Sequence, residues 1–215
     1  VLIALLPATI ASVIIFGLQA FILVVVCTAS AVLAEWGFQA LCKQKITISD
    51  LSAAVTGLLL ALNLPASVTW WQAIIGSVIA VVVVKGLFGG IGKNFANPAI
   101  TARIILLLAF SASVGAAVQP VIVDATSTAT PLTILKLDYG ILPSIGETCS
   151  LALILGGVYL MIRKVITWHT PVIFVGCVFL FTLILNGSLE FALYEVLSGG
   201  LLIGAIFMAT DYSTT

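Results

Sequence analysis

Runs such as Val78-Ile79-Ala80-Val81-Val82-Val83-Val84 are apolar on every side, and no other feature of the chain restricts its fold as severely. A backbone immersed in hydrocarbon must satisfy its N–H and C=O groups internally, which leaves helices and closed barrels. A barrel strand alternates lipid-facing apolar with lumen-facing polar residues. These runs do not alternate, so the spans read as helices. With 62% of its 215 residues hydrophobic, 7% charged and a mean hydropathy of +1.31, the chain is no ordinary soluble domain. The expected class is an all-α, polytopic helical membrane protein.

Eight hydrophobic segments are expected, at 1–16, 18–41, 51–65, 68–88, 99–115, 148–162, 171–186 and 196–210. A span needs roughly 20 residues to cross about 30 Å of hydrocarbon. Leu51 to Pro65 would reach only about 22 Å at the helical rise of roughly 1.5 Å per residue. Its start, Leu51-Ser52-Ala53-Ala54-Val55-Thr56-Gly57, has a faint echo in Leu197-Ser198-Gly199-Gly200-Leu201-Leu202-Ile203. Paired short, interrupted helices mark an inverted repeat whose broken helices meet near the midplane. Small residues also begin helices merely to let them pack closely. The chain reads as one transmembrane domain over 1–215, and its start at Val1 rather than Met and its stop after a span read as a portion of a longer protein.

Net charge is zero, so only the distribution of charge is informative. Lys and Arg accumulate on the cytoplasmic side of short loops. Lys43 and Lys45 therefore place the loop after the second segment inside, and counting crossings puts Lys85, Lys93, Arg103, Arg163 and Lys164 at inside ends too. Lys136 is the single exception among the 8 basic residues. Asp124, Asp138, Glu147, Glu190 and Glu195 fall on the other side. If all eight segments cross, residues 116–147 form an extracytoplasmic loop, and the third and eighth segments run in opposite directions. Cys27, Cys42, Cys149 and Cys177 are scattered singly and read as apolar packing residues rather than a metal or cluster site.

The loop contains a hydroxyl-rich stretch, Asp124-Ala125-Thr126-Ser127-Thr128-Ala129-Thr130-Pro131-Leu132. Proline is favoured at the first position of a helix, so Thr130 reads as the cap of a short helix from Pro131 to Lys136, with Asp124 and Ser127 shaping the turn before it. Composition alone favours that structural role. The same stretch also resembles the flavinylation motif of the RnfD and NqrB family, the integral membrane subunits of ion-translocating electron-transport complexes. Ala129-Thr130 and Asp124 match, whereas Thr128 stands where the commoner motif has Gly. Three further stretches resemble the family in the expected order: Gly92-Lys93-Asn94-Phe95-Ala96-Asn97-Pro98-Ala99, Ser144-Ile145-Gly146-Glu147-Thr148 and Met208-Ala209-Thr210-Asp211. Ser144 to Thr148, the run Leu160-Met161-Ile162-Arg163-Lys164 and the Ser-x-Ala-Thr-Pro-Leu form favour the RnfD branch, part of the Rnf ion-translocating oxidoreductase complex.

The resemblance implies FMN joined to Thr130 by a phosphodiester bond, installed by a flavin transferase, with Asp124, Ser127 and Ala129 completing the motif. It also implies a multi-pass subunit in a bacterial or archaeal cytoplasmic membrane, docked with other membrane and peripheral subunits. Electrons would pass between ferredoxin and NAD as Na+ or H+ is moved. A hydroxyl at a helix N-terminus sits where free N–H groups and the helix dipole favour anions, so the capping and flavin readings of Thr130 are compatible. The alternative is a channel or secondary transporter of similar broken-helix fold without a redox cofactor, since one architecture hosts unrelated functions.

Asn97 and Pro98 read as the cap and first residue of a helix; the resemblance adds a second, noncovalent riboflavin-type site to which Phe95 and Asn97 would contribute. Arg103, in the first turns of that helix, snorkels to the interface or faces a buried anion. Glu35 lies about two turns inside the end of its segment, where a carboxylate needs a partner or water; a cation path is the alternative. His169 beside Trp168 reads as interfacial, since one histidine makes no metal site. Trp70, Trp71 and Tyr139 read as interface anchors.

Overall fold

The computed structural model describes residues 1–43, 46–90, 92–94, 96–115, 150–187, 189–197 and 200–211, and among these it contains helices and no strand. Helix α1 (Leu2–Phe16) and α2 (Leu18–Leu41) are joined by Gly17 alone, at a φ of 70° that glycine adopts without strain. A 3-10 turn at Ile48–Asp50 leads into α3 (Ser52–Asn63). Helix α4 (Trp70–Val78) continues unbroken into a π-helical stretch, Ile79–Gly86, and α5 (Pro98–Ala109) is followed by the short α6 (Ser111–Val114). Then come α7 (Ser150–Ile162), α8 (His169–Asn186), α9 (Leu189–Leu197) and α10 (Leu201–Ile203), which winds directly into a second π-helical stretch, Gly204–Met208.

Contacts far apart in sequence fix the direction of each element. The start of α5 meets the end of the second π-helical stretch through Asn97 and Asp211. Asp211 also shares a small cavity with Val1, Val165 and Ile166. The last turn of α2 shares another with Asp50, Gly89 and Gly90. Lys43, Lys93, Arg163 and Lys164 adjoin these residues, so they gather at one end of the bundle. At the other end Gln19 donates to the Val68 carbonyl, Gln72 donates to the Ser113 hydroxyl, and Trp71 meets Phe110 edge-on at 5.1 Å. Gly115 and Ser150, the described residues that flank 116–149, both belong to this second end. The third segment leaves the basic end and the eighth runs toward it, the opposed directions an inverted repeat requires.

The core lies among α1, α2, α3, α5, α7 and the second π-helical stretch, around fully buried Leu23, Leu60, Leu62, Leu106 and Leu153. Outward faces are just as apolar: Leu108 is 80% exposed and Leu185 81%, an arrangement suited to lipid rather than water. Leu18–Leu41 is long and apolar enough to cross a membrane by itself, while the other apolar helices are shorter.

Close helix approach depends on small residues. A Cβ on Gly57 would meet the Cys27 carbonyl oxygen at 2.6 Å and the Thr28 Cα at 2.9 Å, both backbone atoms of α2. Gly156 of α7 sits in the same way against the Ala4 carbonyl of α1. Gly57→Val is therefore expected to cost at least about 1–3 kcal/mol through overpacking, read as a lower thermal midpoint in detergent. Gly37→Ala, where an added Cβ meets nothing within 4 Å, should leave the midpoint unchanged or slightly raised.

Two sequence expectations need correction. The segment expected over 196–210 is not one helix: α9 ends at Leu197, and beyond 198–199 come three α-helical residues and then a π-helical stretch. The segment over 99–115 breaks at Phe110, whose φ of −132° and ψ of 50° end α5.

Candidate functional site

Glu35 is 4% exposed, and its partner is Lys85, itself 3% exposed, with Lys85 Nζ 2.6 Å from Glu35 Oε1. The sequence places Lys85 at an inside loop end. It is at that end of the bundle, but buried, because the π-helical winding of Ile79–Gly86 turns it inward against α2. Gly90 N–H donates to the Lys85 carbonyl and Leu87 N–H to the Val82 carbonyl, each five residues back. Such wide turns insert one extra residue and often mark functional positions.

The ammonium has a second partner. Lys85 Nζ lies 2.5 Å from the Ser52 hydroxyl, which donates in turn to Asp50 Oδ1 at 2.6 Å. Asp50 also accepts from the Ser52 backbone N–H, relieving one of the free donors at the start of α3. Leu51 between them holds a left-handed φ of 58°, a conformation that costs a non-glycine residue free energy unless its surroundings fix it. Here the Asp50–Ser52–Lys85–Glu35 chain fixes it. Gln39 closes the cluster by bonding Thr47 twice, from Nε2 to the hydroxyl and from the Thr47 N–H to Oε1.

These residues line a cavity of about 360 Å³ that Glu35, Gln39, Asp50, Lys85 and Gly89 share. Glu35 Oε2 is buried there and accepts no hydrogen bond among the described residues. A buried carboxylate oxygen left without a donor is costly, so the cluster is built to hold charge at depth and not merely to pack. Nothing in the sequence pairs residue 35 with residue 85. The available signal was that opposite charges interrupt two apolar segments at similar depths below the same end.

A second polar group brings together two of the stretches that carry the family resemblance. Asn97 caps α5, accepting from the N–H groups of Ala99 and Ile100 at 3.0 and 3.3 Å, with Pro98 at the first helical position. Its Nδ2 lies 3.4 Å from Asp211 Oδ2. Asn63 at the end of α3 donates to the Leu59 carbonyl and approaches Met208 Sδ at 3.8 Å. Asn94 is 1% exposed, and neither its amide oxygen nor its nitrogen is bonded among the described residues. Asn97→Ala is expected to lose about 1 kcal/mol of stability with the cap. Asn97→Ser, which can still cap, should lose less, and thermal midpoints compare the two.

Of the residues expected in the flavin sites, only Asn97 is described; Thr130, Asp124, Ser127, Ala129 and Phe95 lie outside the described residues. Arg103 is partly buried, and among the described residues no hydrogen bond or ion pair meets it. His169 stacks on Trp168 with ring centroids 4.0 Å apart, as an interfacial pair would. Trp70 and Trp71 are exposed at the opposite end, at the start of α4.

The family model described as the NQR2, RnfD, RnfE family matches residues 1–215. The chain belongs to that family. Similar family members include the Acetobacterium woodii D subunit of a Na(+)-translocating ferredoxin:NAD(+) oxidoreductase complex, 40% identical over 230 residues, covering 100% of this chain and 71% of its own. The Clostridium ljungdahlii D subunit of a proton-translocating ferredoxin:NAD(+) oxidoreductase complex is 36% identical over 241 residues, covering 100% and 73%. The Escherichia coli D subunit of an ion-translocating oxidoreductase complex is 31% identical over 266 residues, covering 98% and 76%. Members of the NQR2, RnfD, RnfE family named in this way are subunits of ion-translocating redox complexes, and the buried charge cluster lies within a chain of that kind.

Proposed function

We propose that this chain is the D-type subunit of an Rnf-type ion-translocating ferredoxin:NAD+ oxidoreductase and relays electrons through FMN attached to Thr130. The observation that carries the assignment is 40% identity to the Acetobacterium woodii protein across the whole of this chain. The motif from Asp124 to Leu132 carries the cofactor. Thr130 supplies the hydroxyl oxygen that a phosphodiester requires, and a helix starting at Pro131 would present N–H groups to the phosphate. Gly115 and Ser150, at the end away from Lys43, Lys93, Arg163 and Lys164, support a flavin loop on the extracytoplasmic side.

FMN, when attached, supplies the redox chemistry. The chain tethers it, orients it and tunes its surroundings, so no catalytic acid or base is needed from this polypeptide. A noncovalent riboflavin-type cofactor is the reading for Phe95 and Asn97, and the buried Asn94 amide, with both its donor and its acceptor unused among the described residues, supports it. A route for Na+ or H+ through this chain would run by Glu35 and Lys85, the described ion pair at membrane depth. Partners are the other membrane and peripheral subunits of the complex, and the flavin transferase that matures Thr130.

Mass analysis tests the reading directly. The proteolytic peptide containing Thr130, taken from cells that contain the transferase, should carry one FMN residue. An unmodified peptide would favour the cofactor-free channel or transporter.

A further inference from the structure

A groove of about 460 Å³ opens between α7, α8, α9 and the second π-helical stretch, and its lining is apolar throughout. Gly157 and Met161 form one wall, Pro171 and Gly176 the other, with Val196 and Ile206 at the back. Two observations restrict the occupant. The first is size and lining: about 460 Å³ of wholly apolar, open space accommodates a flexible hydrocarbon chain and offers no partner to a polar ligand.

The second is charge. Met161 and Pro171 bring the groove to the basic end of the bundle. Arg163 follows Met161 by two residues, and Lys164 follows Arg163. Both are exposed, and among the described residues neither makes an ion pair. Lys164 holds a φ of 54°, and its N–H donates to the Met161 carbonyl at 2.9 Å, a tight turn that keeps the two cations beside the end of α7. Exposed Trp168, stacked on His169, marks the same level as interfacial.

An apolar slot ending at two exposed cations matches a molecule with a hydrocarbon tail and an anionic head. We infer that the groove binds one acyl chain of an anionic phospholipid, whose headgroup phosphate is met by Arg163 and Lys164. Basic clusters at helix ends recognise anionic headgroups through this combination of charge and depth. The site is separate from the flavin reading and does not depend on it.

The test is native mass spectrometry of the full-length chain in its purified complex, incubated with phosphatidylglycerol or phosphatidylcholine at equal concentration. Wild type is expected to retain one phosphatidylglycerol in preference to phosphatidylcholine. Arg163→Gln combined with Lys164→Gln should reduce that preference by about tenfold or more. Gly176→Leu blocks the tail without touching the cations; its Cβ has open space within 4 Å, so the variant should fold, with an unchanged thermal midpoint, and lose the bound lipid. Equal retention of both lipids by wild type, or retention of phosphatidylglycerol by both variants, overturns the inference. Loss of a neighbouring subunit from the Gly176→Leu complex without loss of lipid also overturns it, because the groove would then belong to a protein contact.

Discussion

Thr130→Ala is expected to leave the denatured chain dark under ultraviolet light, where wild type from cells containing the flavin transferase fluoresces as a single band. The effect should be complete rather than graded, since alanine has no oxygen through which a phosphodiester can form. Thr130→Ser keeps a hydroxyl and should keep label. Electron transfer through the assembled complex should fall to background in the alanine variant, while the amount of assembled complex stays near wild type, because a loop hydroxyl contributes little to packing. Fluorescence that survives the alanine substitution would remove Thr130 from the proposal. Normal electron transfer by an unlabelled chain would reduce the motif to a structural remnant.

Lys85→Met should be the most damaging single substitution for stability. It leaves the Glu35 carboxylate at 4% exposure with its partner gone, a situation that costs about 3–5 kcal/mol. It also strips the Ser52 hydroxyl of its donor at the start of α3. The sign of the effect can be separated from mere loss of size by the double variant Glu35→Gln with Lys85→Met, which removes both charges and should recover most of the stability. Thermal midpoints in detergent give the comparison. If a coupling ion passes this way, the double variant should transfer electrons yet pump poorly. Full pumping by that stable double variant would exclude the pair from the route.

The sequence was most legible where length and local chemistry decide the structure. The second segment is helical over the expected 18–41, because a long apolar run without Gly or Pro near its centre has no other way to satisfy its backbone. Asn97-Pro98 capped α5 as expected, since a cap is a contact between near neighbours. Three features were not legible. The partner of Glu35 lies 50 residues away, and only the packing of the π-helical stretch against α2 brings it into reach. The π-helical winding itself leaves no mark in Ile79–Val84, where every residue is apolar and periodicity carries no phase. Helix α9 was missed because its glutamates interrupt the apolar run by which spans were found. Thr130 and its neighbours, the part of the site read from motif alone, lie outside the described residues, so the flavin anchor rests on chemistry and kinship.

Among the described residues, two helices end in wide-wound turns at the basic end of the bundle. A turn of this type holds one residue more than its α counterpart, and converting Ile79–Gly86 to ordinary winding would swing Lys85 by about 100° around the axis. The ammonium would then part from Glu35, and Val84, buried beside it in the same stretch, would be displaced with it. Helical pitch and charge neutrality are thus coupled in this bundle, so that rewinding one helix end would unmask a carboxylate in its interior.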